Sequence, residues 1–170
     1  ILHGHSGNGS FTHMNGVMFE FRAGIKMNQV PFKGGGPAVI ALVSGETQAQ
    51  VAAIGELIQH IKTNRLRALG VTSTQRLAEL PDVPTIAESG VPGYDVNGWY
   101  GLCAPTLPRA LEAKINADLV KVLATPAMRQ RLDDQGIDVQ SSTPEELKAH
   151  ARAEIAKWTK VVKEANLPPE

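Results

Sequence analysis

Two glycine-rich turns near the start of the chain, each between a strand-like run and a helix-like run, constrain its fold most. They read Ser6-Gly7-Asn8-Gly9-Ser10 and Lys33-Gly34-Gly35-Gly36-Pro37. Parallel strands cannot be joined by a tight hairpin, so a strand followed by a turn and a helix is the usual unit of a parallel sheet. The pattern therefore predicts an α/β lobe built on βα units.

Periodicity predicts the elements around these turns. Apolar residues at helical spacing predict a helix from about Ser10 to Ala23, and Gly24 stands where a C-terminal cap belongs. The run Ile25–Pro31 is short and partly alternating, which favours a strand. A second helix is expected to open at Pro37, because proline is favoured at the first helical position.

The remaining chain continues this alternation and then becomes mostly helical. Further strands are expected at Gln48–Ile54, Leu66–Thr72, Asp95–Ala104 and Ile137–Gln140. The third of these runs would bury Cys103, the only cysteine. Thr143 and Glu146 have the spacing of a capping box, which predicts the start of a last helix.

Charge balance limits the kinds of partner. The 17 basic side chains equal the 17 acidic ones, and no basic patch is visible. A nucleic-acid-binding protein or a polybasic membrane sensor normally has a basic excess, so both classes are excluded. No run approaches the roughly 20 apolar residues that span a bilayer. The start of the chain lacks a secretion signal and resembles the end of a strand, so we expect an N-terminal part to be missing.

Both glycine-rich turns have the chemistry of an anion site. Glycines let the backbone approach a ligand closely, and the free N–H groups of a helix start favour a carboxylate or a phosphate equally. Two such helix starts at one edge of a parallel sheet would converge on one crevice. The alternative for the first turn is a plain strand-to-helix connection with Ser10 as the N-cap. The alternative for Lys33 is a solvated lysine in a loop.

Catalytic and metal sites find little support in the sequence. His3, His5 and His13 lie close in sequence, yet no Asp or Cys lies among them to complete a metal set. The first turn lacks the Gly-x-Ser-x-Gly spacing of a nucleophile elbow, and the second is not a P-loop because Lys33 precedes its glycines. We therefore expect no enzyme activity, no metal and no cofactor.

Motifs through nearly the whole chain resemble the solute receptors of tripartite tricarboxylate transporters, also called Bug receptors. They are Gly7-Asn8-Gly9-Ser10 with His13, residues 30–38 (Val-Pro-Phe-Lys-Gly-Gly-Gly-Pro-Ala), His60-Ile61-Lys62, Leu66-Arg67-Ala68-Leu69, residues 80–85 (Leu-Pro-Asp-Val-Pro-Thr), residues 90–94 (Gly-Val-Pro-Gly-Tyr) and Trp99-Tyr100-Gly101-Leu102. The chain departs from the family's usual pattern at Ala41 and Ser44, among other positions.

The resemblance implies a fold and an organisation. The fold would be an α/β, periplasmic-binding-protein-like (type II) lobe with a mixed or parallel sheet flanked by helices, plus C-terminal helices that belong with the other lobe. Residues 1–97 would be the second, ligand-binding lobe. Residues 98–170 would be a hinge strand and a helical segment that packs on the missing first lobe, since family members are about twice this length.

The resemblance also implies a function. The chain would capture a small carboxylate in the periplasm and present it to the membrane permease subunits of a transporter. The expected ligand-binding residues are Ser6, Gly7, Asn8, Gly9, Ser10, His13, Lys33, Gly34 and Gly35. The alternatives are a truncated or degenerate receptor without tight binding, and a small α/β enzyme acting on a phosphorylated substrate. Apolar faces left by the missing lobe would in addition drive a homodimer.

Overall fold

The computed structural model describes residues 1–164. The chain divides into two compact units, of which the first is Ile1–Gly98 and the second begins at Trp99. Within the described residues, none of the helices has both the length and the apolar character that crossing a bilayer requires. The assignment of residues 1–97 and 98–170 to two lobes of a receptor stays a prediction.

A three-stranded parallel sheet forms the centre of the first unit, in the order β2-β1-β3. The strands are β1 (Leu2–His5), β2 (Asn28–Pro31) and β3 (Ala49–Gln50). His3 of the central strand is paired with Gln29 on one side and with Ala49 on the other. The predicted α/β class with a sheet flanked by helices is confirmed, and the sheet is parallel throughout.

Each strand of the first unit leads into a helix. These helices are α1 (Phe11–Ala23), α2 (Gly35–Ser44) and α3 (Ile54–Lys62). Ser10 caps α1 by accepting a hydrogen bond from the His13 N–H at 3.2 Å, and Gly24 ends the helix in the left-handed conformation. The predicted first helix is therefore confirmed.

Helix α2 begins two residues before the predicted start at Pro37, with Gly34 as its N-cap residue. Gly34 has a φ of 106°, which is open to glycine and strained for other residues. Pro37 is thus the third helical residue rather than the first. It still lies in the first turn, where backbone N–H groups have no intrahelical acceptor, so its missing N–H removes no helical bond.

One face of β1 packs on α1 through two histidines. The side chains of His3 and His5 are buried, with exposed fractions of 1% and 0%. A Cβ on Gly16 of α1 would lie 2.4 Å from Cε1 of His3, so the helix approaches the strand closely only because residue 16 is glycine. Gly4 lies on the opposite face of β1, against Thr47 and the Phe32 ring.

The segment from residue 63 to residue 98 contains turns and no strand, which corrects two predictions. Leu66–Thr72 forms only an isolated parallel bridge between Val71 and Thr85, and Asp95–Ala104 forms no strand. A run with strand character becomes a strand only beside a partner with free backbone groups. In the first unit, Thr85 supplies Val71 with one such partner, and the Val96 N–H donates to the Thr72 carbonyl at 2.9 Å.

The second unit is helical, with α4 (Arg109–Leu123), α5 (Pro126–Asp133) and α6 (Pro144–Glu164). The predicted capping box of α6 is confirmed, because the Thr143 N–H donates to Glu146 Oε2 at 2.8 Å and the Glu146 N–H donates to Thr143 Oγ1 at 3.2 Å. The predicted strand Ile137–Gln140 is wrong, and so is the burial of Cys103, which is exposed. The predicted hinge strand after residue 98 is likewise irregular chain.

Tyr94 ties this irregular segment to α1. Its ring is buried against Phe19, and its hydroxyl donates to the carbonyl and side-chain oxygens of Asn15. Burial raises the pKa of the Tyr94 hydroxyl, so the group stays a proton donor. The contact fixes the last part of the first unit on the helix that follows the first glycine-rich turn.

Replacing Tyr94 with phenylalanine is expected to lower the free energy of unfolding by about 1–3 kcal/mol, because the buried side-chain oxygen of Asn15 would lose the Tyr94 donor. Urea denaturation measures this change. The matched control is Tyr100→Phe, since Tyr100 is 81% exposed, and it should change stability by less than about 0.5 kcal/mol. Equal effects of the two substitutions would contradict the role given to Tyr94.

Candidate functional site

The carboxyl ends of the three parallel strands lie at one edge of the sheet, and each continues into the first turn of a helix. Two backbone hydrogen bonds join the first two connections. The Phe32 N–H donates to the His5 carbonyl at 2.9 Å, and the Gly34 N–H donates to the Ser6 carbonyl at 3.3 Å. The two glycine-rich turns singled out in the sequence are therefore neighbours, and α1 and α2 start beside each other.

Three hydroxyl groups surround the start of α1. Thr12 Oγ1 lies 2.8 Å from Ser6 Oγ and 3.1 Å from Ser10 Oγ, and it accepts the Ser6 N–H at 2.9 Å. Thr12 was missed by sequence reasoning. Its signal was available, because a threonine two residues after an N-cap serine lies in the first helical turn, next to the capping oxygen.

His13 stands in the first turn of α1 and shapes the glycine-rich turn before it. Its Nδ1 accepts a hydrogen bond from the Gly9 N–H at 3.1 Å. Its ring stacks on that of His5 with a centroid separation of 4.4 Å and an angle of 25°. His5 Nδ1 in turn lies 3.0 Å from the Gly7 carbonyl, which assigns the proton to Nδ1 because a carbonyl only accepts. The two imidazoles thus hold both ends of the turn.

The buried histidines favour their neutral forms. Burial lowers the pKa of both His3 and His5, because an imidazolium loses its hydration in the interior. Among the described residues, His5 Nε2 is buried without a hydrogen-bond partner. A neutral His5 with its proton on Nδ1 leaves the Nε2 lone pair unpaired, which is less unfavourable than burying a charged ring there.

The second turn presents glycine backbone and a lysine at the start of α2. Lys33 is exposed, while Gly34 and Gly35 are half-buried. The first N–H groups of α2 have no acceptor within the helix, and the helix dipole makes this end electropositive. The turn therefore offers polar donors that the sheet holds next to the first turn.

A carboxylate of the chain lies at this same place. Glu56 is in the first turn of α3, and a Cβ added to Gly35 would lie 2.8 Å from each of its two side-chain oxygens. Sequence reasoning missed Glu56. The signal was its position at the start of a third βα unit, because all carboxyl ends of parallel strands meet at one edge.

These groups together suit the binding of a small anion. The edge carries helix starts, glycine backbone and the hydroxyls of Ser6, Ser10 and Thr12 within one set of hydrogen-bonded turns. Asn8 and Gly9 are exposed at the tip of the first turn. Among residues 1–164, no three His, Cys, Asp or Glu side chains are grouped so that they could hold a metal ion.

The lowered pKa values of His3 and His5 predict a loss of stability in acid. In the unfolded chain histidine binds a proton near its ordinary pKa of about 6.5. The folded state resists protonation, so the stability contributed by neutral histidine is complete above this pH and declines as the pH falls below it. Melting temperatures measured across this range should therefore fall with pH.

Substitution of His5 identifies the source of this dependence. His5→Gln should give a smaller fall in melting temperature between neutral pH and pH about 5, because one of the two buried imidazoles is removed. His60→Gln, on α3 and outside this cluster, should leave the slope unchanged. The assignment fails if the His60 substitution flattens the profile as much as the His5 substitution does.

The sequence and the fold are similar to those of known proteins. The UPF0065 protein in the tcbD-tcbE intergenic region of Pseudomonas sp. strain P51 is 36% identical over 164 residues, which are 95% of this chain and 49% of that protein. The solved structure of R. palustris Rpa4515 with adipate matches all of this chain and 57% of its own, with 29% identity and a TM-score of 0.93. The periplasmic binding protein BugD matches all of this chain and 58% of its own, with 29% identity and a TM-score of 0.90.

The chain therefore spans about half the length of each of these three proteins. The fold is that of the periplasmic binding proteins, as the resemblance in the sequence implied. A family model described as the tripartite tricarboxylate transporter family receptor matches residues 1–167. Since this match covers almost the whole sequence, the chain belongs to the receptor family of the tripartite tricarboxylate transporters.

Proposed function

We propose that this chain is the ligand-binding part of an extracytoplasmic receptor that captures a small carboxylate for a tripartite tricarboxylate transporter. The observation that carries the proposal is the hydrogen bonding between the two glycine-rich turns, which brings the starts of α1 and α2 to one edge of the sheet. A carboxylate there would accept hydrogen bonds from backbone N–H groups and hydroxyls, and the helix dipoles would favour its charge.

The proposed contacts follow from the geometry of the two turns. Ser6 to Ser10 and Lys33 to Gly35 would surround the ligand carboxylate. His13 would act through the turn, since it accepts the Gly9 N–H and so fixes the direction in which the exposed tip presents its backbone. Adipate in the related R. palustris structure is a dicarboxylate, which supports a di- or tricarboxylate or a related organic acid as the ligand class.

The family supports the proposed location and partners. Its receptors are named for a tripartite transporter, and BugD is described as a periplasmic binding protein. We therefore place this protein in the periplasm, with the transporter's membrane permease as its partner. The proposed role is binding rather than catalysis, because the matching family is described as a receptor and BugD as a binding protein.

The isolated chain is expected to bind its ligand weakly. In a two-lobed receptor the ligand is enclosed on both sides, and enclosure provides much of the contact and desolvation. This chain matches about half of each longer relative. Binding by one side alone should therefore give a dissociation constant of about 1 mM or more.

The second unit exposes apolar side chains that the proposed receptor would cover with the rest of its chain. Trp99, Tyr100 and Leu102 are 43%, 81% and 63% exposed along an irregular segment. Contiguous exposed apolar residues mark contact surfaces. The occupant that we propose is the first lobe, since the Pseudomonas relative that is 36% identical contains about as many residues again outside the matched part.

A test of ligand binding compares two glycines with the same positive φ. Gly34 and Gly90 both have a φ of 106°, so an alanine would strain the backbone at either position, and each substitution should lower stability by about 1–2 kcal/mol. Only Gly34 lies in the proposed site. Adipate at tens of millimolar should raise the melting temperature of the unsubstituted chain and of Gly90→Ala, but not of Gly34→Ala.

The same melting-temperature measurement is repeated with acetate and with phosphorylated compounds, and each result has a definite meaning. A response to adipate that Gly34→Ala retains would place the ligand elsewhere. A response to phosphorylated compounds alone would replace the receptor with an enzyme acting on a phosphorylated substrate. A response to no carboxylate, including millimolar to molar acetate, would reject the proposed function for this chain.

Self-association tests the proposed contact surface. Without a first lobe, the exposed segment should associate with itself, so the sedimentation coefficient should rise over about a hundredfold increase in concentration. Tyr100→Ser with Leu102→Ser should reduce this rise. Leu69→Ser is the matched control, because Leu69 is 73% exposed in the first unit and lies outside the segment. A monomer at every concentration would contradict the proposal.

A further inference from the structure

The Glu56 carboxylate occupies a position that an anionic ligand of the proposed site would need to approach. It belongs to the first turn of α3 and lies over Gly35, the first residue of α2. Both oxygens are 2.8 Å from where a Cβ of Gly35 would stand. A negative group of the protein is therefore already present between two helix starts.

Glycine at position 35 is what permits this arrangement. A side chain there would collide with the carboxylate, and the flexible Glu56 side chain would have to move away. The exposure of Glu56 leaves its charge partly solvated. Two like charges a few ångströms apart in such surroundings repel by about 1 kcal/mol, which corresponds to a factor of about 5 in affinity.

We infer that Glu56 is a specificity-determining residue, which lowers the affinity of the α2 helix start for anions and most strongly for ligands with more than one negative charge. The inference rests on the proposed function, because it concerns the same site. Beyond that function, the inference states that Glu56 makes the protein discriminate against ligands that carry more negative charge. Ligands with a single carboxylate are disfavoured less than dicarboxylates of the same length.

A purely structural role makes a different prediction. A carboxylate in the first turn of α3 also stabilises that helix through its dipole. If this were its only effect, removing the charge would lower the stability of the fold and leave ligand affinity unchanged. Affinity and stability must therefore be measured separately.

The experiment compares Glu56→Gln with Glu46→Gln. Both substitutions remove one negative charge and keep the size of the side chain, and Glu46 lies just beyond Gly45 at the opposite end of α2. The probes are adipate, hexanoate and inorganic sulfate. Binding is followed at the backbone amide resonances of Gly35 and Gly36 in nuclear magnetic resonance titrations of the intact chain, and stability is followed by urea denaturation.

Glu56→Gln should tighten adipate binding about threefold or more, and hexanoate binding by a smaller factor, whereas Glu46→Gln should leave both within experimental error. Equal adipate affinity in the unsubstituted and Glu56→Gln proteins would overturn the inference and leave the proposed function standing. Tighter sulfate binding to Glu56→Gln, with no carboxylate binding to either protein, would support the inference and reject the proposed function. No response to any anion in either protein would overturn both.

Discussion

The parallel pairing of β1 on both sides is the constraint from which the rest of the first unit follows. His3 is opposite Gln29 of β2 and Ala49 of β3, so all three strands end at the same edge. Parallel strands force each connection to return along the sheet, and here the first turns of α1, α2 and α3 begin where the strands end. The candidate site is thus a consequence of strand direction.

Polar groups stabilise the contact between this sheet and α1. His3 and His5 are buried side chains of β1, and the Tyr94 hydroxyl donates to the Asn15 carbonyl of α1. Such groups lower stability unless they are hydrogen-bonded. The His5 bond to the Gly7 carbonyl and the His13 bond from the Gly9 N–H satisfy part of this need and at the same time fix the first glycine-rich turn. The same histidine side chains therefore contribute to the packing of the sheet against α1 and to the conformation of the first glycine-rich turn.

The local elements of the fold were largely predictable, since their signals are local. The helix after Ser10 and the capping box at Thr143 were both found, because caps and apolar spacing act within a few residues. The expected strands at Leu66–Thr72, Asp95–Ala104 and Ile137–Gln140 were wrong, because a strand needs a neighbour and sequence periodicity carries no information about one. Cys103 was placed in the interior for the same reason.

The amino-acid sequence by itself determined the class of fold, the two glycine-rich turns and the family, because glycine conformation, helix capping and motif order are written in short runs of residues. The tertiary structure alone decided which groups meet at the sheet edge. The Gly34 N–H donates to the Ser6 carbonyl, and Glu56 lies against Gly35 from a different βα unit. Such meetings depend on strand order and on close backbone approach between segments distant in sequence, and both are settled only when the whole lobe has packed.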